Sequence, residues 1–490
     1  MASALEEPDP STASLREQVR AAVIWRSGSQ IAGQIITWVS TFMVIRILSP
    51  SDYGLYALTS VLLGLLALMN GFGLANALIR EREASPQLLR QLLGMLLLLN
   101  GALAAIQFAA APLAAAYYRQ PEVADLLRVQ SLIYLTNPFL ALGYAVLSRR
   151  MDFRRQAQVN LISGLAAAAT ALGGALGGLG VWTLVAAPLV GFACRALGMT
   201  IAAGTFIRPS FDFRGAWSLA QYGGIVAVGH FFWFIQTQAD IVIAGRAFDP
   251  HLLGIYTTSL FLTQLFVNKF VPPINEVAFS AYSKVKDDGK AMAWGFLKSL
   301  RIIMLIGLPF SLGLSACAVP AVAVVLGPKW AETAPVIALL GFAMPFMTLQ
   351  VLFGPATNAA GRPGIYTKTS IIGALLLPLA FLVGVRWGVT GMALAWVAGY
   401  PLLVAISAIW ILPVIRVSAR EFLAALSQPV AAALAMFIAV HWLYGALASY
   451  APLPRLALLI SAGGAVYGSW LAVFARERLL ELLDLVRRQA

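Results

Sequence analysis

The amino-acid sequence predicts an all-α integral membrane protein with about 14 transmembrane helices, and three observations support this prediction. The chain of 490 residues is 60% hydrophobic and only 11% charged, whereas an average soluble domain is about 25% charged. Apolar runs of about 20 residues, the length needed to cross roughly 30 Å of hydrocarbon, recur along nearly the whole chain. A short motif also occurs twice, beginning at Arg46 and again at Arg246, so the spans form two halves.

The predicted spans follow from these apolar runs, which polar or charged segments separate. The residues before the first span are polar and partly acidic, without the basic start and short apolar core of a signal peptide, so we expect the first span to remain in the protein. In order along the chain, the spans cover about residues 21–48, 53–79, 88–116, 123–147, 157–178, 181–206, 217–245, 252–282, 296–326, 333–359, 365–385, 389–415, 422–446 and 455–475.

The net charge of +13 is explained by membrane topology rather than by nucleic-acid binding. If the N-terminus is cytoplasmic, the loops on that side hold about 24 of the 34 lysines and arginines, and the opposite loops hold about seven. Such an excess in alternate short loops is the positive-inside pattern, which places both termini in the cytoplasm. We therefore expect membrane lipids as surroundings and no nucleic-acid partner.

The repeated motif is RILSPSDYGLY at 46–56 and RAFDPHLLGIY at 246–256. Each copy follows a long span that ends in arginine, and six spans lie between the copies, so both enter the membrane in the same direction. This arrangement predicts two parallel six-helix bundles related by an axis along the membrane normal. In each copy the proline stops the preceding helix, and the tyrosines, Tyr56 and Tyr256, suit the membrane interface.

The domain organisation follows from the spans and the repeat. Residues 1–20 form a cytoplasmic segment, 21–206 the N-terminal bundle and 217–415 the C-terminal bundle. Two additional transmembrane helices occupy 422–475, and the amphipathic tail 476–490 lies on the cytoplasmic interface.

Several segments resemble the polysaccharide flippases of the MOP superfamily, and more narrowly the Wzx-type exporters of lipid-linked O-antigen, capsule or exopolysaccharide units. The resemblance covers about residues 20 to 415. Its segments are RILSPSDYGLY, SRRMDFRR at 148–155, QADIVIAGRAFDPHLLGIY at 238–256, FSAYSKVKDDG at 279–289, VVLGPKWAETAPVIALL at 324–340 and NAAGRP at 358–363.

The resemblance implies two bundles in a V around a central cavity, with alternating access across the bacterial inner membrane. The implied substrate is an undecaprenyl-diphosphate-linked oligosaccharide, flipped from the cytoplasmic to the periplasmic leaflet, with polysaccharide polymerase and export proteins as further partners. Two alternatives stay open: a drug/cation antiporter of the same superfamily, and a membrane-embedded polysaccharide polymerase or glycosyltransferase. No extramembrane segment is long enough for a soluble catalytic domain, so the sequence favours a transporter over an enzyme.

Charged residues within spans are costly and usually face a cavity or a partner, so they are the candidate site residues. On the first span, Arg26, Gln30 and Gln34 fall on one face of the helix, with Thr37 and Thr41. That polar face predicts a cavity wall where Arg26 attracts the substrate diphosphate. The alternative is an arginine that extends to the cytoplasmic interface and supports orientation.

Further cations and acids occur in later spans. Lys269 lies beside Pro272 and Pro273, which we expect to kink or open the eighth span, and Arg195 lies in the sixth. Both are candidates for substrate phosphate, with a kink used only for gating and snorkelling of the arginine as the alternatives.

Two acids and two outer arginines complete the candidates. Asp240 and Glu276 could couple transport to H⁺ or Na⁺, or Asp240 could pair with Arg246. Arg46 and Arg246 are outer-gate candidates. No cofactor beyond a coupling ion is expected. The three histidines lack metal-ligand spacing and cysteine neighbours, so no metal site is predicted.

Overall fold

The computed structural model describes residues 33–34, 36–69, 78, 85–213, 232, 234–285, 288–474 and 476. The chain divides into two compact units, Met1–Phe231 and Phe232–Ala490. In the first unit, the helices are α1 (Ile36–Ile47), α2 (Pro50–Ala67), α3 (Pro86–Tyr118), α4 (Glu122–Gln130), α5 (Leu132–Arg149), α6 (Phe153–Leu176) and α7 (Trp182–Ala203).

The second unit contains the remaining helices and two short 3₁₀ turns, Pro328–Trp330 and Val385–Trp387. Its helices are α8 (234–247), α9 (Pro250–Thr263), α10 (Leu265–Lys284), α11 (Gly289–Ala316), α12 (Ala318–Val325), α13 (Thr333–Ala359), α14 (Pro363–Gly384), α15 (Gly388–Ile411), α16 (Ala419–Ala446) and α17 (Pro452–Phe474).

The prediction of an all-α membrane protein is confirmed over the described residues. They contain no strand, and nine of their helical segments are long and apolar enough to cross a membrane. One of these segments, Pro363–Ile411, includes both α14 and α15. Helix occurs within each of the predicted spans, while the count of 14 stays a prediction. Three predicted spans are divided into two helices, at Ser131, Gln264 and Cys317.

The first unit is held together by close helix crossings between α3, α5, α6 and α7. Its core is leucine-rich and includes Leu92, Leu96 and Met199, each at most 1% exposed. Small residues permit the closest approaches, as is typical of helix packing in membranes. A Cβ added at Gly143 on α5 would lie 2.8 Å from the backbone carbonyl of Met199 on α7.

In the second unit, α13 is the central helix, packing against α9, α10, α11 and α15. The two C-terminal helices belong to this unit, since α16 packs along α11 and α17 packs against α16 and α12. Phe296, Phe353 and Phe422 form a stacked aromatic series that joins α11, α13 and α16.

The repeated motif has the same local structure in both copies. Pro50 and Pro250 each occupy the first turn of a helix, where the missing N–H costs nothing, so each proline begins the following helix rather than simply ending the preceding one. The preceding residue caps the helix: Ser49 forms a capping box with Asp52, and Asp249 accepts from the Leu252 N–H at 2.9 Å.

The structure corrects two predictions about this region. Tyr256 is fully buried, so it does not belong to an interfacial belt. The prediction that the eighth span kinks or opens at Pro272 and Pro273 is corrected in part, because α10 continues through both prolines without opening and the interruption lies earlier, at Gln264. A kink at the prolines stays a prediction.

The close approach of Gly143 to the Met199 backbone predicts that a larger side chain at position 143 destabilises the protein. We expect Gly143→Val to lower the melting temperature of the detergent-solubilised protein, since overpacking costs about 1–3 kcal/mol. Gly101→Val is the matched control, because a Cβ at Gly101 on α3 meets no atom within 4 Å. Equal melting temperatures for the two variants, measured by intrinsic fluorescence, would contradict the tight α5–α7 crossing.

Candidate functional site

A polar cavity of about 380 Å³ lies in the first unit, between α1, α5, α6 and α7. Gln34 and Thr37 line it from the start of α1, Gln156 and Asn160 from α6, and Arg195 from α7. The structure thus brings together two predicted site residues, Gln34 and Arg195, from opposite ends of the first unit's sequence. The other two candidates of the first span, Arg26 and Gln30, lie outside the described residues.

A second cavity of about 340 Å³ shares Thr37, Gly164 and Arg195 with the first. It extends along α1 and α6 past Ser40 and Ser163, and its remaining lining is largely apolar. These three shared residues therefore lie where the polar cavity and the more apolar one meet.

The local sequence of α7 explains how Arg195 reaches this position. Gly191 and Gly198 lie one turn to either side of Arg195, on the face that packs against α6. A Cβ at Gly191 would be 3.0 Å from Ala167 Cβ, and one at Gly198 would be 2.8 Å from Val159 Cγ1. The glycines therefore allow close packing of α6 and α7, and Arg195 lies on α7 between these two contacts.

Arg195 is half-buried, and its Nε is buried without a hydrogen-bond partner. Among the described residues, no carboxylate lines either cavity, and no ion pair includes Arg195. A buried donor of this kind is costly unless a ligand or water satisfies it. Arg195 lies well inside α7, about 12 Å from the end of the helix at Ala203 at a rise of 1.5 Å per residue. The Arg195 guanidinium and the polar lining around it can therefore accept an anion.

Asp240 on α8 belongs to a buried hydrogen-bond network in the second unit. Tyr256 Oη donates to Asp240 Oδ2 at 2.9 Å, and Trp396 Nε1 donates to Tyr256 Oη at 2.7 Å. All three side chains are at most 1% exposed, and the Trp396 ring stacks on Tyr400 at 4.9 Å between centroids. Asp240 Oδ1 is buried without a hydrogen-bond partner.

The predicted pairing of Asp240 with Arg246 is wrong. The carboxylate is directed into the helix interface, where Tyr256 is its partner, whereas the Arg246 side chain is exposed near the end of α8. A neutral hydroxyl donor therefore replaces the expected cation, and the carboxylate keeps one oxygen for another ligand.

Lys269 and Glu276 lie on one face of α10, seven residues or about two turns apart. Both are exposed, while Val271 and Tyr282 on the opposite face are buried in the core. This polar stripe belongs to the second unit, and Lys269 is not among the described residues that line the Arg195 cavities.

The outer-gate candidates occupy equivalent positions in the repeat. Arg46 and Arg246 are the second-last residues of α1 and α8, and both side chains are exposed. The sequence reasoning missed three participants of the two sites, Asn160, Gln156 and Trp396. Gln156 and Asn160 are four residues apart near the start of α6, the same polar spacing that marked the first span, but nothing near Trp396 indicated its link to Tyr256.

Comparison with known proteins identifies the family and the fold. A family model described as polysaccharide biosynthesis protein matches residues 43–335. The succinoglycan biosynthesis transport protein ExoT of Rhizobium meliloti (strain 1021) is 25% identical over 457 residues, covering 92% of each chain. The lipopolysaccharide biosynthesis protein WzxC of Escherichia coli (strain K12) is 23% identical over 428 residues, covering 85% of each chain.

Two solved structures share the fold. The lipid II flippase MurJ in an inward closed conformation matches with a TM-score of 0.76 and 14% identity, covering 93% of this chain and 100% of that one. An inward-facing multidrug resistance MATE family transporter of the MOP superfamily matches with a TM-score of 0.63 and 13% identity, covering 81% and 98%. The resemblance seen in the sequence is therefore confirmed, and the chain belongs to the polysaccharide biosynthesis protein family, as a multi-pass membrane protein with the MOP-superfamily fold.

Proposed function

We propose that this protein is a flippase for undecaprenyl-diphosphate-linked oligosaccharide repeat units. It moves them from the cytoplasmic to the periplasmic leaflet of the bacterial inner membrane by alternating access, with both termini in the cytoplasm. The names of ExoT, for succinoglycan transport, and of WzxC, for lipopolysaccharide biosynthesis, support a role in polysaccharide export. The likeness to MurJ supports a fold that can flip a lipid-linked sugar. A polysaccharide polymerase and export proteins would then take the product.

The observation that carries the proposal is Arg195, a half-buried arginine that lines both cavities of the first unit. Guanidinium groups bind phosphate oxygens through paired N–H donors, and such charge-assisted hydrogen bonds are stronger than neutral ones. Gln34 and Asn160, on either side of the same cavity, can donate to a sugar or to the remaining phosphate oxygens. The substrate diphosphate would therefore bind at Arg195.

The alternatives fit these cavities less well. A drug/cation antiporter needs carboxylates where its cation binds, and none of the described residues that line these cavities carries one. A polymerase or glycosyltransferase needs catalytic acids beside its lipid-linked substrate, whereas the polar groups of the described lining are amides, hydroxyls and a guanidinium. We therefore propose transport rather than catalysis.

Coupling to H⁺ or Na⁺ through Asp240 is part of the same proposal. The unpaired Oδ1 of its buried carboxylate could hold a proton or a cation, which would satisfy the group. Glu276, exposed on α10 beside Lys269, is the second candidate for coupling. Lys269 would contact substrate on that stripe, and Arg46 and Arg246 would act as outer-gate charges.

Reconstitution of the full-length protein in vesicles tests this function. The vesicles carry a fluorescent undecaprenyl-diphosphate-linked oligosaccharide, and a membrane-impermeant quencher reports how much label is in the outer leaflet. We expect protein-dependent movement of label between leaflets, with the sugar chain unchanged by mass spectrometry. A lengthened or cleaved sugar would indicate an enzyme. Failure to move the label under proton, sodium or no gradient, with uptake of an organic cation, would favour the antiporter.

A further inference from the structure

We propose that a second anion site, separate from the Arg195 cavities, binds the phosphate group of an anionic phospholipid headgroup. The site is a cavity of about 350 Å³ in the second unit. Three segments meet there: the start of α11, the turn between α13 and α14, and the turn between α15 and α16. They contribute Gly289 and Met292, Ala360 and Arg362, and residues 413–416, including Arg416. All three segments belong to loops that the charge pattern places on the cytoplasmic side.

The backbone at Arg416 is in the left-handed region, with φ of 54°. A left-handed conformation costs a residue other than glycine about 1–2 kcal/mol, so few such residues adopt it. The turn itself is closed by backbone bonds, from the Arg416 N–H to Pro413 O and from the Val417 N–H to Leu412 O. Glycine would form this turn with less strain. The backbone conformation therefore does not explain why an arginine occupies position 416, so we look for the explanation in its side chain.

The side chain of Arg416 lies against the backbone at the start of α11. A Cβ at Gly289 would be 2.6 Å from Nε and 2.7 Å from Nη1 of Arg416, so a larger residue at position 289 would require the Arg416 guanidinium to shift from its present place. The N-terminus of a helix carries a positive partial charge, and at α11 the Asp288 carboxylate caps it. An anion beside Arg416 would be attracted by the guanidinium and by this N-terminus.

Arg362 brings a second guanidinium to the same cavity, from the N-terminal end of α14. The ion pairs among the described residues include neither Arg362 nor Arg416. On the described part of these segments, Asp288 caps α11 by accepting from the N–H groups of Lys290 and Ala291 at 3.0 and 3.1 Å. Two exposed arginines that have no ion-pair partner among the described residues are suited to one phosphate group.

The position of the cavity favours a lipid as the source of that phosphate. Trp294, five residues beyond Gly289 on α11, is 61% exposed, and Lys298 Nζ lies 4.9 Å from the centroid of its ring. An exposed tryptophan beside a lysine near a helix end is typical of the headgroup level of a membrane. Basic residues on the cytoplasmic side attract the anionic lipids of that leaflet. A free phosphate offers the same chemistry, so the experiment includes both sources.

Native mass spectrometry of the full-length protein in detergent tests the site without any transport assay. Phosphatidylglycerol, phosphatidylcholine and inorganic pyrophosphate are titrated separately. We expect phosphatidylglycerol to bind in preference to phosphatidylcholine, and the double variant Arg362→Gln with Arg416→Gln to bind it about tenfold more weakly or worse. Gly289→Ala should also weaken binding, although it removes no charge, because its Cβ displaces the Arg416 guanidinium.

The controls separate this site from general surface charge and from misfolding. Arg420→Gln removes an exposed arginine four residues beyond Arg416 that does not line the cavity, and we expect it to bind phosphatidylglycerol as the wild type does. Arg416→Gly relieves the backbone strain, so it should keep the melting temperature and still lose binding. Wild-type lipid binding by the double variant, or an equal loss in Arg420→Gln, would overturn the proposal. Pyrophosphate binding without lipid binding would assign the site to a free phosphate and overturn the lipid source.

Discussion

Replacing Arg195 with glutamine is expected to slow flipping of the diphosphate-linked saccharide by roughly 10- to 100-fold. The guanidinium is the cationic group shared by both cavities of the first unit, and hydrogen bonds to charged groups are worth about 1.5–3 kcal/mol each. Glutamine is shorter and uncharged, so it keeps a polar group at this position while the positive charge is lost. The measurement is the initial rate of label movement in vesicles, normalised to the amount of protein incorporated.

A short series around Arg195 distinguishes phosphate binding from a structural role. Arg195→Lys keeps the charge but lacks the planar pair of donors, so we expect an intermediate rate. Arg208→Gln is the matched control, because it removes an equal charge from an exposed position of the same unit outside both cavities. If Arg195→Gln flips as fast as Arg208→Gln does, Arg195 is not part of the binding site. If both Arg195 variants are poorly expressed, rates at equal incorporation still compare their turnover.

The sequence predicted the helices well because the membrane imposes a simple rule on it. Apolar runs of sufficient length must be helices, since no water is present to satisfy the backbone, and the 333–359 span coincides with α13. The two copies of the repeat were also recognisable in the sequence, because a proline and a capping residue determine the start of a helix locally. By contrast, the divisions at Ser131, Gln264 and Cys317 carry no proline or glycine. These divisions depend on how neighbouring helices pack, and no local sequence pattern indicates that packing.

Only part of the candidate site could be predicted from the sequence. A charge in an apolar span is conspicuous, so Arg195 and Asp240 were found. Their surroundings were not, because the partners come from distant helices: Trp396 is 140 residues from Tyr256. The arginine nearest to Asp240 in sequence was the obvious partner, yet helix geometry turns Arg246 to another face and brings Tyr256 to the carboxylate. Sequence separation is a poor guide to contacts within a helical bundle.

Tyr256→Phe is expected to destabilise the second unit, although it removes a single oxygen atom. The hydroxyl donates to Asp240 Oδ2 and accepts from Trp396 Nε1, and all three residues are buried. Its loss leaves an indole N–H and a carboxylate without partners, each at a cost of about 1–3 kcal/mol. Phenylalanine fills nearly the same volume, so no cavity contributes. The measurement is the melting temperature of the full-length protein in detergent.

Two variants make this result specific. Tyr56→Phe removes the hydroxyl at the equivalent position of the first copy, where the residue is only half-buried and the position matching Asp240 is Ser40, so we expect a smaller change. Asp240→Asn keeps an oxygen that accepts from Tyr256 but removes the charge. If Asp240 couples transport to an ion, this variant should remain folded and lose its response to the proton or sodium gradient. If Asp240→Asn shows normal gradient dependence, the Asp240 carboxylate has only a structural role. If Tyr256→Phe and Tyr56→Phe have equal melting temperatures, the structural role is contradicted as well.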